Sequence, residues 1–110
     1  MDSNTDKLDL ILEISNEIKE LLFGNGFEDF RTNRKLKIQI IDRLLNIIDA
    51  IDDAGVLLAD YIPAGKFEEI RNIKSKLTSE ANGISEEFIW QLCKRELLLL
   101  TKAIYTIHRR

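Results

Sequence analysis

Cysteine, histidine and proline are almost absent from this chain, which has one of each among its 110 residues. The single cysteine, Cys93, excludes an intramolecular disulfide and a zinc site built from several thiolates. The single histidine, His108, leaves too few members for a catalytic histidine pair or a multi-histidine metal site. We therefore expect no resident metal and no cofactor, and we expect the protein to occupy the reducing cytoplasm.

Long apolar runs are also absent, since no run exceeds four residues, as in Leu97–Leu100. A helix that spans a bilayer needs about 20 apolar residues. The first six residues are polar and acidic, whereas a signal peptide has a basic start and an apolar centre. The sequence thus predicts neither a membrane span nor an export signal.

Valine occurs once, while leucine and isoleucine together supply 32 of the 110 residues. A β-sandwich or barrel is rich in β-branched and aromatic residues with frequent turn signals, and a disordered chain does not carry 45% hydrophobic residues. The net charge of −3 argues against a uniformly basic nucleic-acid binder. The length is that of one domain, so we predict a single all-α domain over residues 1–110.

Apolar residues at spacings of three and four predict four helices. We place the first over residues 5–23 and the third over residues 66–81. The second begins between 29 and 36 and ends near 61, and the fourth runs from 85 towards the C-terminus. Because helices joined by short connections pack antiparallel, we predict an up-down-up-down four-helix bundle.

The predicted breaks contain residues that tolerate turn conformations. Gly24–Gly26 ends the first helix, residues 62–65 with the only proline end the second, and Asn82-Gly83 ends the third. Ser85 is the predicted N-cap of the fourth helix. Whether the second helix is continuous through Asp52–Gly55 is left open, because glycine weakens a helix interior.

Two pairs of carboxylates have a spacing of three residues, Glu17 with Glu20 and Asp49 with Asp52. This arrangement resembles the ExxE and ExxD pairs of the small helical MazG-type nucleotide pyrophosphohydrolases. The resemblance implies a magnesium-dependent hydrolase, since hard cations need several converging carboxylates. On helical wheels, however, the pairs lie largely opposite the apolar stripes, which predicts solvated faces. We keep this function as the second alternative.

Basic residues cluster between residues 31 and 37, where no acid occurs, although eight acids lie between residues 2 and 29. A cluster at the start of a helix opposes the helix dipole, and such side chains suit a phosphate. Pairing with Glu28, Asp29 or another subunit explains the cluster equally well. Two lysines near the end of the third helix would lie at the same end of the antiparallel bundle as this cluster. The candidate nucleic-acid contacts are therefore Arg31, Arg34, Lys35, Lys37, Lys74 and Lys76.

The fourth helix has more apolar residues than one bundle stripe needs. Its predicted core stripe comprises Ile89, Cys93, Leu97, Leu100, Ile104 and Ile107. Other apolar residues lie away from this stripe and from that of the second helix, and they predict an interface: Trp90, Leu98, Tyr105, Leu45 and Ile38. We therefore expect a non-enzymatic protein that acts through protein–protein interaction, self-associating through the fourth helix. The first alternative is a nucleic-acid-associated subunit that uses the basic cluster.

Overall fold

The computed structural model describes residues 3–54, 64–78 and 86–108, and this part of the chain is helical with no strand. The predicted all-α class is confirmed. None of the described helices is both long and apolar enough to cross a membrane. The elements in chain order are α1 (Ser3–Leu22), α2 (Phe27–Thr32), α3 (Arg34–Asp53), α4 (Ala64–Thr78), α5 (Glu86–Gln91), a π-helical turn (Leu92–Glu96) and α6 (Leu97–His108).

Helix α1 forms and ends as its sequence predicts. Its buried residues recur at steps of three and four, which keeps them on one face. Gly24 then adopts φ +79°, a left-handed conformation that favours glycine. The Asn25 backbone N–H donates to the Leu22 carbonyl at 2.9 Å, and the Asn25 side chain donates to the Leu21 carbonyl at 2.9 Å, so the helix end is satisfied.

The predicted second helix begins as two helices, because a short helix, α2, precedes α3. The Gly26 backbone N–H donates to the Asp29 carboxylate at 2.9 Å, which stabilises the start of α2. Asn33 has extended backbone angles and separates the two helices. Its side chain accepts the Leu36 N–H at 3.0 Å, so Asn33 is the N-cap of α3.

Helix α3 packs against α1 over most of its length and against α4 on another side. The predicted seam is buried, with Ile40, Leu44, Ile47 and Ile51 inside the core. The helix ends at Asp53, and Ala54 is its C-cap. The predicted continuation of the second helix and the break after it, from Gly55 to Pro63, lie outside the described residues. The predicted end of the third helix at Asn82-Gly83 and the predicted N-cap Ser85 also lie outside them.

The C-terminal helical stretch contains a π-helical turn that its apolar spacing does not predict. The Leu97 N–H donates to the Leu92 carbonyl five residues earlier, instead of four. The turn places both Leu92 and Leu97 in the core, whereas the predicted stripe members Cys93 and Leu100 are only half-buried. The wider turn changes the direction of the side chains on either side of it, so a single 3.6-residue period does not describe this stretch.

Helices α1 and α6 lie side by side and antiparallel. Trp90, just before the π-helical turn, contacts Phe27, which follows the end of α1, and the C-terminal half of α1 lines one cavity with residues between Cys93 and Thr101, so the end of α1 is level with the start of α6. Helix α4 lies mainly against α3, and an apolar groove separates it from α6. Helix α2 lies across α3 and α5 at one end of the molecule.

Candidate interaction surfaces

The predicted interface residues have different surroundings in the folded chain. Leu98 and Tyr105 are 46% and 50% exposed, and Ile38 on α3 is exposed to a similar extent. Leu45 is half-buried and packs against the core. Leu98 and Tyr105 are seven residues apart, so they lie on the same face of α6, about 10 Å apart along its axis.

Trp90 packs within its own chain instead of projecting from it. Its ring meets Phe27 edge-on, with centroids 5.7 Å apart, and lies 5.6 Å from Phe30. The Lys94 ammonium lies 4.8 Å from the centre of the Trp90 ring, within cation–π range. Both phenylalanines belong to α2. This short helix therefore covers a side of Trp90 that the four predicted helices alone would leave exposed to solvent.

Sequence reasoning missed Phe23, which is the most exposed large apolar side chain among the described residues, at 87%. Phe23 lines a cavity of about 550 Å³ between α1 and α6, and Leu98 lines the same cavity. Two exposed apolar side chains, one from each helix, therefore share one surface. The available signal was the position of Phe23, since it lies off the α1 stripe directly before the Gly24 turn.

The charges on this surface are mixed. On α1 the acids Glu13 and Glu20 are exposed, and so is Lys19, which lines the cavity. The π-helical turn and α6 carry the exposed Lys94 and Lys102. We call this surface the α1–α6 face, and its residues are Glu13, Asn16, Lys19, Glu20, Phe23, Lys94, Leu98, Lys102 and Tyr105.

A second apolar surface lies on the other side of α6. The groove between α3, α4 and α6 has a volume of about 620 Å³. Ile48 and Ile51 form part of its floor, Ile70 and Ile73 belong to the α4 wall, and the exposed Leu99 stands at the α6 wall. Leu98 and Leu99 are thus neighbours in sequence on different surfaces, because consecutive residues differ by about 100° around a helix.

Several members of the basic cluster are engaged in ion pairs. Arg31 donates to the Glu28 carboxylate at 2.7 Å, and this hydrogen bond and the opposite charge lower the pKa of Glu28 and raise the pKa of Arg31. Lys37 lies 3.3 Å from the Glu86 carboxylate. In the part of the chain that the structure describes, Arg34 and Lys35 are exposed and have no ion pair within 4 Å.

The two lysines of α4 also have partners. Lys74 donates to the Asp49 carboxylate at 2.6 Å, which raises the pKa of Lys74 through that hydrogen bond and its charge. Lys76 lies 5.5 Å from the centre of the Phe88 ring. A nucleic acid that bound Arg31, Lys37 or Lys74 would have to compete with carboxylates of the same chain.

Three of the four acids in the two pairs contact basic side chains, and Asp49 does so through Lys74. Glu17 accepts from Arg43 at 3.1 Å, and Asp52 lies 3.8 Å from Arg71. Over residues 3–54, 64–78 and 86–108, no three histidine, cysteine or carboxylate side chains converge as a metal site requires. The resemblance to MazG-type enzymes therefore has no geometric support from the described residues.

The cavity between α1 and α6 is lined by two buried polar residues, Ser15 and Thr101, and by the half-buried Cys93. Burial raises the pKa of Cys93 to about 12, so its thiol stays protonated at neutral pH. Ser15 is 2% exposed, and its hydroxyl has no hydrogen-bond partner among the described residues. The side chain of His108 lies outside the described residues.

Replacing Ser15 with alanine is expected to raise the free energy of unfolding by about 1 kcal/mol, because a buried hydroxyl without a partner is desolvated at a cost of about 1–3 kcal/mol. Urea denaturation followed by circular dichroism measures the change. Ser75→Ala on the exposed side of α4 is the matched control, since it reports the helix propensity of alanine alone. An equal gain in both variants, or a loss in Ser15→Ala, would contradict the prediction.

Comparisons with known protein families, curated proteins and solved structures found no match to this chain. Its function therefore has to be inferred from the surfaces described above. Of these, the α1–α6 face carries three exposed large apolar side chains, Phe23, Leu98 and Tyr105.

Proposed function

We propose that this protein is a non-enzymatic interaction protein that self-associates through the exposed side of its C-terminal helix. The scaffold we propose is an antiparallel up-down-up-down bundle, in which α1, α3, α4 and the stretch from α5 to α6 are the four long helices. Helix α2 is an addition at one end. The single observation that carries the proposal is the half-exposed pair of Leu98 and Tyr105, two helical turns apart on one face.

The physical reason is the apolar surface that this face leaves in water. Burial of apolar surface contributes about 25 cal/mol per Å², so covering several large side chains favours association. Tyrosine is enriched at interfaces because its ring is apolar and its hydroxyl forms hydrogen bonds. Phe23 extends the same surface onto α1. Scattered single apolar residues are ordinary, but Leu98 shares a cavity with Phe23 and a helix face with Tyr105, so the three form a patch.

Nucleic-acid contact through the basic cluster has weaker support. Arg31, Lys37 and Lys74 each have a carboxylate partner within the chain. Phosphate binding by basic side chains falls steeply with salt and depends on several free cations acting together. Only Arg34 and Lys35 of the six candidates lack both an ion pair and a cation–π contact among the described residues.

Substitution of Leu98 or Tyr105 by glutamate is expected to convert an oligomer of the 12.7 kDa chain into monomers, because a charge buried in an apolar interface is costly. Light scattering coupled to size-exclusion chromatography measures the mass. Circular dichroism should show an unchanged helical signal, because both side chains are half-exposed in the single chain.

Leu99→Glu is the matched control, since Leu99 is the adjacent leucine but stands at the groove on the other side of α6. We expect this variant to retain the mass of the wild type. A monomeric wild type would overturn the proposal. So would dissociation by Leu99→Glu without any effect of Leu98→Glu or Tyr105→Glu, because the groove would then be the contact surface.

A further inference from the structure

We propose that the cavity between α1 and α6 binds a small amphipathic carboxylate, whose carboxylate group is held by Ser15 and Lys19 and whose apolar chain lies against the leucines of the same cavity. A ligand of this class has one anionic head and an unbranched hydrocarbon body, as a medium-chain fatty acid has. This inference goes beyond the proposed self-association and does not depend on it.

The observation that points to a ligand is the hydroxyl of Ser15. Ser15 is 2% exposed and lines the cavity, and its hydroxyl has no hydrogen-bond partner among the described residues. Hydroxyl side chains within helices often donate to a carbonyl of the preceding turn. Thr101, which lines the same cavity, does so to Leu98 at 2.9 Å. A ligand atom that accepted a hydrogen bond from Ser15 would remove the cost of leaving this buried donor unsatisfied.

The charges that line the cavity select an anion. Both charged side chains in its wall are lysines, Lys19 and Lys94, and no described aspartate or glutamate lines it. The Lys94 ammonium lies over the Trp90 ring, but Lys19 is exposed and has no ion pair within 4 Å over residues 3–54, 64–78 and 86–108. Glu20 follows Lys19 in sequence but lies about 100° further around α1, outside the cavity wall.

The half-buried thiol of Cys93 does not oppose an anion in this cavity. Burial raises the pKa of Cys93 to about 12, so the thiol is neutral at physiological pH and does not repel a carboxylate.

Ser15 and Lys19 are placed so that both can act on one carboxylate. They are four residues apart on one face of α1, and residues at this spacing have β-carbons about 5–6 Å apart. The serine hydroxyl donates one hydrogen bond and the lysine ammonium donates another, and a carboxylate has two oxygens that accept them. Hydrogen bonds to an ionised group are about twice as strong as those between neutral groups, so the pair would fix the head of the ligand.

Apolar side chains form much of the remaining wall. Ile18, Leu22 and Leu97 are buried, and Phe23 and Leu98 are exposed. The volume of about 550 Å³ is within the range of about 300–1,000 Å³ that small-molecule sites have. Each methylene group that a ligand buries tightens its binding about fourfold, so this wall favours a hydrocarbon chain over a short acid such as acetate.

The groove between α3, α4 and α6 is a poorer match for the same ligand. Glu69 and Glu96 line it together with Lys76, so an anion there would meet two carboxylates. The Lys76 ammonium lies 5.5 Å from the centre of the Phe88 ring. The groove therefore serves as the internal comparison for the experiments.

Titration of the full chain with octanoate, measured by isothermal titration calorimetry, tests the site. We expect one octanoate per chain with a dissociation constant of about 1 mM or tighter. The affinity should increase about fourfold per methylene from hexanoate to decanoate, because the longer chain buries more apolar surface. Absence of saturable binding at about 10 mM octanoate would overturn the proposal.

Ser15→Ala is expected to have opposite effects on the free and the bound protein. It stabilises the free protein, as argued above, but should weaken octanoate binding about tenfold because a hydrogen bond to a charged group is lost. Since this variant is expected to be the more stable protein, weaker binding would not result from unfolding. An unchanged affinity for octanoate would contradict the assignment of Ser15.

Lys19→Gln separates the contribution of charge from that of the apolar wall. It should weaken octanoate binding about fivefold and leave the binding of 1-octanol, which has the same chain without the charge, unchanged. Lys102→Gln is the matched control, because Lys102 is an exposed lysine of α6 that does not line the cavity. Leu99→Gln is the control for the groove. If Leu99→Gln weakened octanoate binding and Lys19→Gln did not, the ligand would occupy the groove and the proposal would be wrong.

Tyr105→Glu distinguishes this inference from the proposed function. Tyr105 belongs to the proposed contact between copies but does not line the cavity, so this variant should be monomeric and bind octanoate as the wild type does. A monomeric wild type that binds octanoate would overturn self-association alone. Loss of octanoate binding in Tyr105→Glu would overturn the assignment of the site to the cavity of a single chain.

Discussion

Replacing Phe30 with alanine is expected to lower the free energy of unfolding by about 3–5 kcal/mol, the range observed when a buried phenylalanine is truncated. Phe30 is fully buried, and its ring lies 5.6 Å from that of Trp90. It is the only described buried residue of α2, so its loss removes the main apolar contact of that helix. Urea denaturation followed by both circular dichroism and Trp90 fluorescence measures the change at fixed protein concentration.

Phe27→Ala is the control for this prediction, because Phe27 also contacts Trp90 but is only half-buried. A loss of about 1–2 kcal/mol is expected, since less apolar surface is transferred to water on truncation. Trp90 is the only tryptophan, so a red shift of native emission in Phe30→Ala reports its exposure directly. Equal losses of unfolding free energy in the two variants would mean that the depth of burial of each phenylalanine does not determine how much its contact with Trp90 stabilises the fold.

Helix α2 shows where the sequence stops being informative about this fold. The long helices repeat apolar residues over many turns, so α1 and the α3 seam are recognisable from spacing alone. Helix α2 has six residues, too few for a period, and buries only Phe30 among them. Because α2 was not separated from α3, Trp90 had no evident partner in the sequence and was assigned to the surface.

Some features of the candidate surfaces can be predicted from the sequence and others cannot. The exposure of Leu98 and Tyr105 follows from their angle to the apolar stripe, so a helical wheel finds them. The ion pairs of the basic residues are different, because Lys37 pairs with a carboxylate 49 residues away and Lys74 with one 25 residues away. Such pairs depend on which helices become neighbours, and spacing along the chain carries no information about them.

The π-helical turn adds a residue between two stretches of helix whose buried sides both face the core. Ile89 is buried before the turn, Leu92 is buried at its first position, and Leu97 and Ile104 are buried after it. A step of five residues separates Leu92 from Leu97, where a regular helix returns to the same side after three or four. Of the expected stripe, Ile89, Leu97 and Ile104 are buried, while this step places Leu92 in the core where Cys93 was expected.

Deletion of Arg95, an exposed residue of the π-helical turn, is therefore expected to leave a folded protein whose free energy of unfolding is within about 1 kcal/mol of the wild type. The deletion shortens the step from Leu92 to Leu97 to four residues, which a regular helix with its better hydrogen bonds accommodates. Circular dichroism and urea denaturation measure the helical content and stability.

Deletion of Asp42 in α3 is the matched control, since Asp42 is also an exposed helical residue but lies in a regular helix. Removing it rotates the half of α3 that follows by about 100° and shifts it by about 1.5 Å, so Leu44, Ile47 and Ile51 no longer meet the same core side chains. Several buried side chains, each stabilising by about 1.5–3 kcal/mol, then lose their contacts, and their sum exceeds the 5 kcal/mol at the lower end of ordinary domain stability. This variant should be unfolded without urea. If the Arg95 deletion unfolds the chain as well, the five-residue step is a requirement of the fold and not an insertion that the helix tolerates.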